Sequence, residues 1–104
     1  TGTVIINGDD ELLLNQARLW TAQKMVIDCS ITSKNAAVFV DYENSIHSIY
    51  ISGKFITSVE GSKILQLSIA LTVGVLIALE MDIIEYFQKI FSLNMITRHL
   101  IIQL

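Results

Sequence analysis

The sequence predicts a single α+β domain, and three observations carry that expectation. At 104 residues the chain is long enough for one compact core and too short for two. Ile46 to Ile51 alternates at the period of a half-buried strand, with Ile46, Ser48 and Tyr50 on one side and His47, Ile49 and Ile51 on the other. Asp82 followed by Ile83, Phe87, Ile90 and Phe91, at i, i+4, i+7 and i+8, reads as a capped amphipathic helix. Strand and helix signals mixed in this way belong to the α+β class.

Taken in order, Thr3 to Ile6 is a β-branched run, and Asn7-Gly8 after it signals a turn. Asp9 and Asp10 are expected to cap a helix through Gln16 or beyond, since a carboxylate accepts free first-turn amides and suits the positive helix end. Leu12, Leu13, Gln16, Leu19 and Trp20 share a face of that helix and are expected to pack. Lys24 to Cys29 reads as a strand, and Ser30 to Lys34 as a loop. Asn35 to about Asn44 is expected to be helical, with Ala36, Phe39 and Val40 on one stripe. Ser52-Gly53-Lys54 turns the strand at 46–51 into a return strand over Phe55 to Val59.

Glu60-Gly61-Ser62 then opens a short helix. Ile64 to Leu79 is the most apolar stretch, but a spanning helix needs about 20 apolar residues, and this run contains Gln66, Ser68, Thr72 and Gly74. A short helix, a turn at Gly74 and a buried strand at Val75 to Leu79 account for it better. A single-pass membrane protein is therefore the lesser alternative. Met95 to Leu104 is apolar apart from Arg98 and His99 among its charged or titratable positions.

Hydrophobic residues make up 52% of the chain and charged residues 16%, with a mean hydropathy of +0.56. So apolar a composition implies that much surface is buried in a partner or that a membrane must be considered. The net charge of -3 argues against nucleic acid. One cysteine, Cys29, cannot form an internal disulfide, and Thr1-Gly2-Thr3 lacks the basic start of a secretory signal. The expected location is the cytoplasm.

Two stretches resemble a known family. Ser30-Ile31-Thr32-Ser33-Lys34-Asn35-Ala36-Ala37-Val38-Phe39-Val40 is similar to the active-site loop and first helix of the histidine-containing phosphocarrier HPr, roughly G-[IL]-H-A-R-P-A-x-x-[LF]-V. Thr32 stands at the histidine position, Lys34 at the arginine position and Asn35 at the proline position. Ser52-Gly53-Lys54 through Glu80 resembles the second half of that family's pattern. The resemblance implies an HPr-like open-faced sandwich, a four-stranded antiparallel sheet covered on one side by three helices. It assigns that fold to 24–104, apolar tail included, with 1–23 as a strand-helix extension.

The resemblance also implies a protein that has lost the transfer reaction and works by binding or regulation. A threonine hydroxyl is a poor nucleophile and its phosphate a stable ester, so Thr32 cannot relay a phosphoryl group. Lys34 lacks the bidentate geometry of arginine. The family's docking patch would fall on Thr32, Lys34, Phe39, Ser62, Lys63 and Leu67. Ser62 or Lys63 would stand at its regulatory serine; Ser62 reads first as an N-cap hydroxyl, with regulatory phosphorylation at Ser62 as the second reading.

The expected partners are proteins of the phosphotransferase system or a regulator. A homodimer through Leu12, Leu13, Leu19 and Trp20, or through the tail, is the alternative, as is a purely structural α+β subunit. No enzyme activity, cofactor or metal is expected. His47 falls within a strand and His99 in the tail without ligand spacing, and Cys29 reads as a buried small residue.

Overall fold

The computed structural model describes residues 2–19 and 25–90. Expectations for Trp20, Lys24, Phe91, His99 and the 95–104 tail lie outside the described residues. Five strands, β1 (Thr3–Asn7), β2 (Met25–Ser30), β3 (Val38–Glu43), β4 (Ile46–Ile51) and β5 (Lys54–Glu60), form one mixed sheet in the order β1-β2-β3-β4-β5. Helix α1 (Glu11–Arg18) links β1 to β2, and a 3-10 turn (Lys63–Leu65) leads into helix α2 (Gln66–Ala78). Helix α3 follows at residues 83–90, where the Asp82 carboxylate accepts the Glu85 N–H at 2.9 Å.

The architecture is broadly α+β, but it is not the four-stranded antiparallel sheet expected from the phosphocarrier resemblance. β1, β2 and β3 are parallel, and only β3-β4-β5 is an antiparallel meander. Residues from the expected N-terminal extension supply β1 and α1, and β1 pairs with β2 along its whole length.

Two expected elements are replaced. The helix expected from Asn35 to Asn44 is instead a loop followed by β3. Val38 and Val40 are fully buried on one side, and Phe39 points the other way to stack on Tyr50, with ring centroids 5.8 Å apart. A Val-Phe-Val run satisfies both faces of a central strand, while β-branched side chains lose rotamer freedom in a helix. The β3–β4 turn is two residues, Asn44 and Ser45, both at positive φ, which matches the right-handed twist of a tight hairpin.

The strand expected at Val75 to Leu79 is the second half of α2, and Gly74 is not a turn but lies inside that helix. A Cβ on Gly74 would stand 2.7 Å from Ile5 Cγ2 and 2.8 Å from Cys29 Sγ. Glycine is retained there because α2 presses directly onto β1 and β2, at a helix-propensity cost of about 1 kcal/mol. Ile69, Ala70, Val73 and Leu76 of α2 meet Ile27, Cys29, Val38, Val40 and Ile49 of the sheet, and Phe87 of α3 closes the same core. No helix among the described residues is long and apolar enough to cross a membrane.

Candidate functional site

The most organised polar group lies where β1 and β2 end. Because these strands are parallel and in register from Thr3↔Met25 to Asn7↔Cys29, their carboxyl ends emerge side by side. That edge is where open parallel sheets commonly place ligand-facing loops. The loop after β1 carries Asp9 and Asp10, and they divide the work. Asp10 caps α1, its Oδ1 accepting from Leu12 N at 3.0 Å and Leu13 N at 3.2 Å.

Asp9 is not a cap. Its carboxylate crosses to the end of β2, where Oδ2 accepts the Ile31 N–H at 2.8 Å and Oδ1 accepts the Thr32 hydroxyl at 2.6 Å and the Ser30 hydroxyl. Ser30 Oγ in turn accepts the amides of Thr32 at 3.0 Å and Ser33 at 2.7 Å. Burial pulls the Asp9 carboxyl upward, but these hydrogen bonds outweigh it and hold the group below its ordinary 3.8. The consecutive aspartates were the available signal, since a helix has one N-cap and the second carboxylate needs another partner.

Chemically this cluster is a clasp. Ser30 is only 1% exposed, and its hydroxyl is engaged on both sides, so it cannot meet a substrate. Thr32, at the phospho-histidine position of the resemblance, sits in this loop and opens no helix. Its hydroxyl is likewise given to Asp9.

The other residues of the expected docking patch fall elsewhere. Lys34 and Phe39 line an open cavity of about 160 Å³ with Asp41, Tyr50 and Gly53. Phe39 itself is buried at 6% exposure, so it supports the cavity floor more than it offers a contact. Tyr50 continues the aromatic row to Phe55, with centroids 5.7 Å apart, and Phe55 is exposed.

Ser62, the expected hydroxyl cap, makes no side-chain cap bond. Its carbonyl is the group that matters, accepting from His47 Nε2 at 2.9 Å. Lys63 lies in the 3-10 turn, exposed, and Leu67 is half-buried on α2.

His47 and Cys29 are both in the interior. His47 is fully buried against Tyr42, centroid distance 4.7 Å, and with Nε2 donating to Ser62 O its Nδ1 is left without a partner among the described residues. Cys29 is fully buried, and burial together with the neighbouring Asp28 carboxylate pushes its thiol up to about 11. Such a thiol stays protonated and unreactive at neutral pH. Among the described residues no three His, Cys, Asp or Glu side chains are grouped to hold a metal ion.

Apolar side chains, by contrast, are displayed freely. Leu12 of α1 and Leu19 at its C-cap are 82% and 74% exposed, and Leu13 is also exposed. The face expected to pack is thus turned outward, and α1 buries Ala17 instead, next to β1. Compared with known proteins, the chain matches no family model, no curated protein and no solved structure.

Proposed function

We propose that this chain is a non-catalytic binding module completed by protein–protein contact, and that the outer stripe of α1 is its contact surface. The observation that carries the reading is the display of Leu12, Leu13 and Leu19 on a helix whose sheet-facing contact is supplied by Ala17. Leu12 and Leu19 stand seven residues apart, two turns on one side of the helix. Covering them recovers about 25 cal/mol for each Å² removed from water. A second copy of the chain is the partner that this surface fits most simply, because the same stripe can meet itself across a two-fold axis.

This reading keeps the binding role implied by the resemblance and sets aside phosphotransferase partners. In that family the docking loop opens a helix, whereas here the loop is clasped by Asp9. The lone, buried Cys29 is compatible with the reducing cytoplasm expected for such a module.

The test is sedimentation velocity across a concentration series for the wild type and for Leu12→Glu/Leu19→Glu. The wild type is expected to associate and the double variant to remain monomeric with unchanged circular dichroism. A wild type that sediments as a monomer at every concentration, indistinguishable from the variant, overturns the proposal.

A further inference from the structure

The meander has a second face, opposite the one on which Ile49 meets α2. Phe39 pairs with Tyr50 and Tyr50 with Phe55, so these three rings share that face across β3, β4 and β5. Asp41, two residues beyond Phe39 on β3, falls on the same side. Lys34 from the loop before β3 and Gly53 from the β4–β5 turn complete a small cavity with Phe39, Asp41 and Tyr50, of about 160 Å³.

The walls of this cavity are fixed in advance. Ser33 N–H donates to Ser30 Oγ at 2.7 Å and Ala37 N–H to Asp28 Oδ1 at 3.1 Å, which pins the loop on both sides of Lys34. Ser52 N–H donates to Ala37 O at 2.9 Å and ties the Gly53 turn to the same loop. The Tyr50 ring is braced between Phe39 and Phe55, at centroid distances of 5.8 and 5.7 Å. On this frame stand an ammonium, a carboxylate and a phenol. Among the described residues the side chains of Lys34, Asp41 and Tyr50 make no hydrogen bond or ion pair. Lys34 and Asp41 thus bring opposite charges to one small cavity without joining.

Opposite charges held apart over an aromatic floor match a ligand that carries both charges and an apolar body. We propose that the cavity binds a free α-amino acid with an aromatic or large apolar side chain. Its carboxylate accepts from the Lys34 ammonium and the Tyr50 hydroxyl, and its ammonium donates to the Asp41 carboxylate. Its side chain lies against the Tyr50 ring, above Phe39. The volume is about half of what a drug-sized ligand needs, which suits one amino acid. A ligand with a single charge leaves the opposite group of the cavity unmatched, so recognition rests on the zwitterion. The site is separate from α1 and does not depend on association of the chain.

The test is a titration of the isotope-labelled full chain at neutral pH, followed through its amide NMR signals. L-phenylalanine is the probe, and phenylacetate and phenethylamine are analogues that lack its ammonium and its carboxylate respectively. L-phenylalanine is expected to shift the Phe39, Tyr50 and Gly53 amides saturably and to bind about tenfold more tightly than either analogue. Lys34→Gln should weaken L-phenylalanine about tenfold and leave phenethylamine unchanged. Asp41→Asn should weaken it about as much and leave phenylacetate unchanged. Both side chains are exposed, and circular dichroism reports that each variant keeps the fold. Absence of a saturable shift at these amides in the wild type overturns the proposal. So do analogues that bind the wild type as tightly as L-phenylalanine, or folded variants that bind L-phenylalanine unchanged.

Discussion

The two halves of the sheet are packed by different means. Where β1 and β2 run parallel, the helix backbone lies directly on strand side chains: Gly74 of α2 meets Ile5 and Cys29 with no space for a methyl group, and Ala17 and Ala70 are buried. Where β3, β4 and β5 form a meander, larger side chains occupy the space. Ile49 and His47 fill the inner side, and the rings of Phe39, Tyr50 and Phe55 meet in a row on the other, Tyr50 and Phe55 edge to face. The first half depends on smallness and long-range crossing, the second on local turns and volume. The comparison teaches that an apolar composition does not set how a core is made; the distance at which a helix crosses the strands does.

The largest effect is expected in the meander, where Ile49→Ala leaves a cavity under a fully buried position. It should cost about 2–5 kcal/mol, measured as a lower urea midpoint at unchanged slope. In the parallel half the opposite change is the damaging one. Gly74→Ala adds a methyl against Ile5 and Cys29 and should cost about 1–3 kcal/mol by overpacking. The contrast sharpens with Gly53, at φ +80 with open space around it. There alanine meets a dihedral penalty of about 1–2 kcal/mol and no clash. If Gly74→Ala is neutral while Gly53→Ala is costly, the close crossing of α2 is not what retains glycine.

The clasp at the end of the parallel half gives a pH signature of its own. Asp9 is held below its ordinary 3.8 in the folded chain, so its carboxylate stabilises the fold above that value. The contribution is lost as pH falls from 3.8 toward the lower folded value. Asp9→Asn should lower stability near neutral pH by about 1 kcal/mol and flatten this acid-side slope, read by urea denaturation at several pH values. The smallest effect belongs to the exposed Lys89–Glu85 pair, 2.9 Å apart on α3. Lys89→Ala should change stability by less than about 0.5 kcal/mol.

Much of the meander was legible along the chain. The alternation of Ile46 to Ile51, the Ser52-Gly53 turn and the return strand are each local, and the structure places β4 and β5 there. β1, the Asp10 cap and the Asp82 cap were legible for the same reason: one or two neighbours decide them. The β3 strand was obscured by a likeness to a helix-opening motif, although Val38-Phe39-Val40 carries a strand signature of its own. Gly74 read as a break because glycine is costly in a helix; its reason is a contact with β1 and β2, about seventy and forty-five residues earlier in the chain. Of the clasp, the aspartates were visible and the partners were not, since Asp9 and Thr32 are 23 positions apart.

Alone, then, the sequence determined the α+β class, the hairpin, the caps at Asp10 and Asp82 and the burial of Cys29, because each follows from local propensity or from apolar character. Only the tertiary structure decided that β1, β2 and β3 run parallel, that α2 is continuous through Gly74 and that Asp9 binds the end of β2. It also decided that Leu12 and Leu19 face outward. Each of these depends on which distant segment arrives alongside, and van der Waals contact and hydrogen bonding act only between groups that chain topology has already brought within a few ångströms.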